Sequence, residues 1–155
     1  MISPEVLRRY PFFNGLSAAQ LQAIAMITDE HPIHKGKLLF DEGQPADKLY
    51  LLIDGSVDFY MKSEEENEPS TRKEFSVGEV NPGDVFGIST LVEPYIFQVS
   101  ARVAQDGKIL LTDGVQLRTL MQTDKDLTIL LMTSIVKLLM ERLNLTRVQL
   151  AAAWA

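Results

Sequence analysis

The stretch KGKLLFDEGQPADKLYLLIDGSVDFY, residues 35–60, decides the fold. It alternates short runs of branched and aromatic residues with turn signals that contain Gly36, Gly43 and Gly55. Runs of this kind, bounded by glycine, proline and aspartate, are typical of strands joined by turns. We expect a hairpin at Asp54-Gly55, because both positions of a two-residue turn favour positive φ. The stretch therefore predicts antiparallel strands.

Strand-like runs extend beyond this stretch, and helical spacing takes over at both ends of the chain. Residues 29–113 repeat the short strand pattern, whereas residues 1–28 and 114–151 carry apolar residues at helical spacing. Strands and helices do not alternate, which disfavours a doubly wound sheet, and many short strands favour a sandwich or closed barrel. We expect one mainly β domain over residues 1–155, with N-terminal helices and a long C-terminal helix.

Charge and residue usage exclude several classes of function. The net charge is −6 and the 15 basic residues are scattered, so we expect no nucleic-acid partner. The chain has no cysteine, and its two histidines, His31 and His34, would face opposite sides of a strand. This pattern disfavours a metal site and a catalytic set. The acidic loop SEEENEPST, residues 63–71, is interpreted as a solvated hairpin tip rather than a metal or partner site.

Apolar runs are too short to predict a membrane span. The longest, residues 127–140, is interrupted by Lys137, and the N-terminus lacks the apolar core of a signal peptide. We therefore expect a cytoplasmic protein without a membrane partner.

The long C-terminal helix has two apolar faces. Asp124 is expected to cap it, as Ser17 is expected to cap the second N-terminal helix. The face expected to pack on the β core consists of Leu127, Leu130, Leu131, Ser134, Ile135, Leu138 and Leu145. The other face consists of Met132, Val136, Leu139, Leu143 and Leu150. A helix that is apolar over so wide an arc must bury both sides, so we expect a homodimer through Met132, Val136, Leu139 and Leu143.

A second stretch, PGDVFGISTLVEPYIFQVSAR, residues 82–102, is a candidate ligand site. Two glycines frame an apolar pair, and Ser89 and Thr90 follow Gly87 with hydroxyl groups. A glycine-framed turn of this kind can present backbone N–H groups to an anion. Thr90 and Glu93 also have the spacing of a capping box, which competes with a ligand role for Glu93.

Four segments together resemble the cyclic-nucleotide-binding domain, the sensor domain of catabolite-activator-type regulators, protein-kinase regulatory subunits and gated channels. They are YPFFNGLSAAQLQAIA, KGKLLFDEGQPADKLYLLIDGSVDFY, VNPGDVFGISTL and SARVAQDGKILLTDGVQLRTLM, and the likeness covers about residues 5–150. The resemblance implies an eight-stranded jelly roll with helices at both ends. It also implies a phosphate-binding cassette, which is a turn of helix between two strands.

In that cassette the family pattern has a glutamate that accepts a hydrogen bond from the ribose and an arginine that pairs with the cyclic phosphate. The pattern places Ile88 at the glutamate position and Val99 at the arginine position. Arg102 has the opposite strand parity to Val99, so it is expected to point away. The residues that the resemblance assigns to the cassette are Phe86, Gly87, Ile88, Ser89, Thr90, Leu91, Val99, Ser100 and Ala101.

These replacements predict a non-catalytic regulatory or sensor module that does not bind cAMP or cGMP in the family's usual way. Two alternatives stay open: a genuine cAMP-binding protein with non-standard contacts, and a dimerisation or scaffold module with a vestigial pocket. We expect no cofactor, a small-molecule ligand of unspecified identity and a downstream protein partner. Relatives with a helix-turn-helix domain carry it after the long helix, and we expect none before Ala155.

Overall fold

The computed structural model describes residues 1–62 and 74–155. The predicted hairpin tip at residues 63–71 lies outside the described residues. The elements, in chain order, are α1 (Pro4–Arg8), a first 3₁₀ helix (Pro11–Phe13), α2 (Ala18–Met26), β1 (Thr28–Ile33), β2 (Leu38–Phe40), β3 (Lys48–Lys62), β4 (Glu74–Val80), β5 (Val85–Phe86), a second 3₁₀ helix (Ile88–Leu91), β6 (Ser100–Asp113), α3 (Gly114–Thr123) and α4 (Lys125–Trp154).

Two long antiparallel strands form the centre of the sheet. β3 and β6 pair along almost their whole length, from Lys48 opposite Asp113 to Tyr60 opposite Ser100. The other strands extend this pair in the order β1-β6-β3-β4, while β2 pairs with β6 and β5 pairs with β3. The described residues form six strands, of which β3 and β6 each continue through a shift in register, whereas the family resemblance implies eight strands. The mainly β jelly-roll fold with flanking helices is confirmed.

The predicted hairpin at Asp54-Gly55 is wrong. Both residues lie inside β3, which pairs with β6 on either side of them, and the register shifts at this point. Gly55 has a φ of 95°, and a Cβ atom there would lie 2.6 Å from the carbonyl oxygen of Gln105. A positive φ serves a bulge in a continuous strand as well as a turn, so the local sequence does not separate the two. The pair Asp106-Gly107, which has the same residue types, is likewise internal to β6.

Both predicted helix caps are confirmed. The Ser17 hydroxyl accepts a hydrogen bond from the Gln20 N–H, and the Gln20 side chain accepts one from the Ser17 N–H, which completes a capping box on α2. Asp124 accepts from the Leu127 N–H at 3.0 Å at the start of α4. Gln20 also donates to the Asp124 carboxylate at 3.1 Å, so the starts of α2 and α4 are joined directly.

Buried apolar side chains form two clusters. One contains residues of α1, α2, α3, α4 and the sheet, among them Leu7, Leu21 and Leu117. The other fills the interior of the β roll and is rich in aromatic rings. Leu131 and Ile135 of α4 belong to the first cluster, and burial of their side chains holds the long helix against the roll.

α4 is buried on one face and exposed on the other. Val136, Leu139 and Leu143, which are predicted to face a partner, are 54%, 47% and 49% exposed, while Met132 is half-buried against the helical cluster. Leu145, predicted to face the core, is instead 61% exposed. Every other residue of α4 beyond residue 142 is exposed as well. Within the described residues no helix, α4 included, is long and apolar enough to cross a membrane.

Candidate ligand site

The candidate cassette, residues 86–101, begins with a sharp turn out of β5. Phe86 pairs with Tyr50 of β3, and Gly87 then takes a φ of 72° at the start of the second 3₁₀ helix. A Cβ atom on Gly87 would lie 2.8 Å from the Tyr50 ring and 3.2 Å from the Lys48 carbonyl oxygen. The turn therefore requires glycine for its backbone conformation and for the close approach of β3.

The capping box predicted from Thr90 and Glu93 is wrong. The second 3₁₀ helix starts at Ile88, so Thr90 lies inside it rather than before it. The Thr90 hydroxyl is buried and donates to the Lys48 carbonyl oxygen at 2.6 Å, while Glu93 is exposed. The spacing of the two residues fits a capping box, but the left-handed conformation of Gly87 begins the helix three residues early. Thr90 thus ties the cassette to β3.

Ile88 and Val99, at the positions of the family's two charged residues, are packing residues. Ile88 packs against the helical cluster, and Val99 packs against the aromatic cluster in the roll. Both side chains are half-buried. The cassette therefore presents apolar surface at the two positions where the family pattern has a carboxylate and a guanidinium.

Aromatic rings fill the roll beside the cassette. The rings of Phe40 and Phe97 stack with centroids 3.8 Å apart, and those of Tyr50 and Phe86 stack at 5.0 Å. Phe59 completes the group with its centroid 6.2 Å from that of Phe86. Burial raises the pKa of the Tyr50 hydroxyl to about 12, and the charge of Asp47 adds to the effect. Of these five rings the sequence analysis singled out only Phe86. Phe40, Tyr50, Phe59 and Phe86 lie on β2, β3 and β5, and Phe97 lies in the segment before β6.

The Ser100 hydroxyl is already bonded to a carboxylate. It donates to Asp41 at 2.6 Å and accepts from the Glu42 N–H at 3.0 Å. Lys62 places its Nζ atom 2.9 Å from the Asp41 carboxylate, which is half-buried. The hydrogen bond from Ser100, followed by the bond and charge of Lys62, holds the pKa of Asp41 below its ordinary value. Sequence analysis missed Asp41 and Lys62, because their approach to Ser100 depends on the pairing of distant strands.

Arg102 points away from the cassette, as the strand parity predicts. Its guanidinium forms two hydrogen bonds to Glu74 of β4, at 3.0 and 3.2 Å, and lies 5.0 Å from the centroid of the Tyr60 ring. The bonds from Arg102 hold the pKa of Glu74 below its ordinary value. Arg102 therefore does not replace the arginine that is absent at position 99.

Arg142 of α4 reaches the strand that enters the cassette. It donates to the Val85 carbonyl oxygen at 2.7 Å, and its guanidinium lies 5.3 Å from the centroid of the Phe59 ring. Burial lowers the pKa of Arg142, while the charge of Asp84 opposes that shift. The side chain of Arg142 thus turns inward from α4 onto the roll.

Arg118 of α3 contacts the cassette within its length, at Tyr95. Its guanidinium lies 4.1 Å from the centroid of the Tyr95 ring and donates to the Ala46 carbonyl oxygen at 3.0 Å. The Ala46 N–H in turn donates to the Tyr95 carbonyl oxygen at 2.7 Å. The cassette is thus held by α3 and by the loop between β2 and β3.

Two surface grooves lie outside the cassette. A groove of about 330 Å³ runs between the first 3₁₀ helix, Asp84 and the buried side of α4. A groove of about 520 Å³ lies between β4 and the last turns of α4. Neither is lined by residues 86–91 or 99–101. Across the described ranges, no group of three or more histidine, aspartate and glutamate side chains could hold a metal ion.

Comparisons with known proteins give one family. A family model described as the cyclic nucleotide-binding domain matches residues 30–124. A solved structure from Geobacter metallireducens, a "Putative Cyclic nucleotide-binding protein", is 34% identical in sequence and superposes with a TM-score of 0.81. That match covers 92% of this chain and 99% of the other.

Two curated relatives are longer than this chain. A "CRP-like cAMP-activated global transcriptional regulator" of Mycobacterium tuberculosis is 27% identical over 90 residues, which are 58% of this chain. A "Putative potassium channel protein" of Rhodopseudomonas palustris is 22% identical over 120 residues, which are 77% of this chain. The matched parts are 38% and 27% of the length of those two relatives.

Proposed function

Because the chain belongs to the cyclic nucleotide-binding domain family, we propose that it is a non-catalytic regulatory module whose cassette does not bind a cyclic nucleotide in the family's usual way. The observation that carries this proposal is the hydrogen bond that the Ser100 hydroxyl donates to the Asp41 carboxylate at 2.6 Å. In the family pattern this position lies beside the phosphate-binding arginine, and here the neighbouring residue is Val99.

A cyclic phosphate beside Ser100 would face the Asp41 carboxylate and would lack the arginine of the family pattern. The Asp41 carboxylate repels an anion at Ser100, and Lys62 is already paired with Asp41 at 2.9 Å. A hydrogen bond to a charged group contributes about 1.5–3 kcal/mol, so the missing arginine alone weakens binding by about 10- to 140-fold. The missing glutamate at position 88 removes a ribose contact as well.

The shape of the roll supports the same conclusion. A base or ribose that entered beside the cassette would compete for space with the stacked pairs Phe40–Phe97 and Tyr50–Phe86. Displacing well-packed buried rings costs several kcal/mol. The surface that remains suits an apolar or uncharged small molecule better than a cyclic nucleotide.

Calorimetric titration of the protein with cAMP and with cGMP tests this proposal. We expect no saturable binding at micromolar ligand. The variant Val99→Arg combined with Asp41→Asn restores a cation and removes the competing carboxylate, so it should bind the cyclic nucleotides more tightly than wild type. Val92→Arg, at an exposed position of the same loop, is the matched control and should not. Micromolar or tighter binding by the wild-type protein would contradict the proposal.

We further propose that the module acts as a homodimer through α4. Residues along one side of α4, most of them apolar and exposed, repeat every three or four positions, as a and d residues of a heptad. This dimer stripe consists of Ile129, Met132, Val136, Leu139, Leu143, Thr146 and Leu150. Branched residues at the a positions 129 and 136, with leucine at the d position 139, favour a parallel two-stranded coiled coil.

Sedimentation equilibrium tests the dimer. We expect the wild-type protein to sediment as a dimer and the double variant Leu139→Glu with Leu143→Glu as a monomer, because buried unpaired carboxylates are costly. Lys137→Glu with Asn144→Glu adds two glutamates at exposed positions outside the stripe, and this control should stay dimeric. A wild-type monomer at all concentrations would remove the dimer from the proposal.

A further inference from the structure

The groove between β4 and α4 lies directly beside the dimer stripe. It is lined by Val77 and Glu79 of β4, by Asp58 of β3 and by Thr146 and Leu150 of α4. Thr146 and Leu150 are d and a positions of the stripe. A second helix seated on the stripe therefore runs along the open side of this groove.

The groove carries two carboxylates, and Arg102, which lies opposite Asp58 on β6, is bonded to Glu74 rather than to either of them. Asp58 and Glu79 lie directly opposite each other in the register of β3 and β4. Like charges in directly opposed strand positions are destabilising. Asp58 accepts only a 3.4 Å hydrogen bond from the Tyr60 hydroxyl, and neither carboxylate forms an ion pair with any residue in the described ranges. A cation from a second molecule would relieve this repulsion.

The heptad register identifies that cation. With the stripe at a and d, the groove lies on the g side of α4, where Gln149 lines it, and Arg147 is an e residue. In a parallel two-stranded coiled coil, g residues of one helix face e residues of the other. Arg142, the preceding g residue, does not repel an incoming arginine at the helix surface, because its guanidinium is turned inward onto the Val85 carbonyl.

We propose that in the homodimer the partner's Arg147 enters this groove and pairs with Asp58 and Glu79, twice per dimer. This inference rests on the proposed dimer and adds the sheet edge to its interface. The seven stripe residues fall short of the roughly 20–30 residues that each side of a stable interface contains. The exposed side chain of Val77 on β4 adds apolar surface to the groove, on which the stem of an arginine can pack.

Charge reversal tests the pairing. Arg147→Glu places a third carboxylate in the groove and should weaken dimerisation by roughly 10-fold, measured as the dissociation constant by sedimentation equilibrium. Glu79→Arg should weaken it similarly by opposing two cations. The combination of both changes should restore the constant to within about threefold of wild type. Lys137→Glu, an equal change of charge outside the stripe, should leave it unchanged.

Disulfide trapping provides a second measurement, because the chain has no cysteine of its own. The double variant Arg147→Cys with Glu79→Cys should form a covalent dimer under mild oxidation, whereas Lys137→Cys with Glu79→Cys should not. A wild-type protein that sediments as a monomer would overturn both the proposed dimer and the proposed pairing of Arg147 in the groove. If the wild-type protein is a dimer, Arg147→Glu leaves its dissociation constant unchanged and the cysteine pair forms no covalent dimer, only the pairing of Arg147 in the groove is overturned.

Discussion

Asp41 decides what the Ser100 hydroxyl can bind. In the family pattern the residue before this serine is the arginine that pairs with the cyclic phosphate. Here Asp41 accepts a hydrogen bond from the serine hydroxyl, and Lys62 forms an ion pair with Asp41. The site has become an internal polar contact between β6, the loop after β2 and the end of β3. Its groups satisfy one another, so no anion is needed to complete them.

The contact makes stability depend on pH. The pKa of Asp41 is lower in the folded protein than in the unfolded chain, where it is about 3.9. The stabilisation is therefore complete above the unfolded value and is lost as the pH falls through the folded one. We expect the urea midpoint of wild type to fall more steeply below pH 4 than that of Asp41→Asn. Glu141→Gln, a change at an exposed carboxylate, should follow the wild-type curve.

Alanine substitutions at Gly87 and Gly43 distinguish the cost of backbone strain from the cost of steric overlap. Both have positive φ, but a Cβ atom on Gly87 would meet the Tyr50 ring at 2.8 Å, whereas nothing lies within 4 Å of one on Gly43. We expect Gly43→Ala to lower the free energy of unfolding by about 1–2 kcal/mol, from φ alone. Gly87→Ala should cost about 1–3 kcal/mol more, as measured by urea denaturation. Equal losses would show that the Tyr50 contact relaxes freely.

Among the secondary-structure elements, β3 shows where local sequence stops predicting structure. Its branched and aromatic residues identify a strand, and the Asp54-Gly55 pair identifies a position with positive φ. Whether that position reverses the chain or bends it depends on β6, whose residues pair with both halves of β3. The turn at Gly87 could be predicted from the sequence because it is local and depends on a glycine. The contacts of Asp41 and Arg142 could not, because they join residues far apart in sequence.

Neighbouring residues of α4 separate folding from association. Ile135 is buried in the helical cluster, whereas Val136 is exposed on the dimer stripe. Ile135→Ala should lower the free energy of unfolding by about 2–4 kcal/mol, because it leaves a cavity. Val136→Ala should change it little when measured on the monomer background of Leu139→Glu with Leu143→Glu, and should instead weaken dimerisation of the otherwise wild-type chain. A large loss of monomer stability in Val136→Ala would show that α4 packs in a different orientation.

For the whole molecule, folding and association are linked by mass action. If dimers form through α4, the native state is stabilised by its own concentration. The thermal midpoint of the wild-type protein should therefore rise over a hundredfold increase in protein concentration. The midpoint of Leu139→Glu with Leu143→Glu should not move. A wild-type midpoint that is independent of concentration would indicate that the protein unfolds as a monomer.

The central strand pair also sets the order in which the chain can fold. Tyr60 and Ser100, at one end of the pairing of β3 with β6, are closer in sequence than Lys48 and Asp113 at the other end. Closing the shorter loop costs less chain entropy, so zipping should start at Tyr60 and Ser100 and proceed through the bulge at Gly55. Contacts of this sequence separation form slowly compared with helices. The docking surface for α3 and α4 is thus completed only when the last residues of β6 pair with β3. We therefore expect the long helix to pack against the roll late in folding.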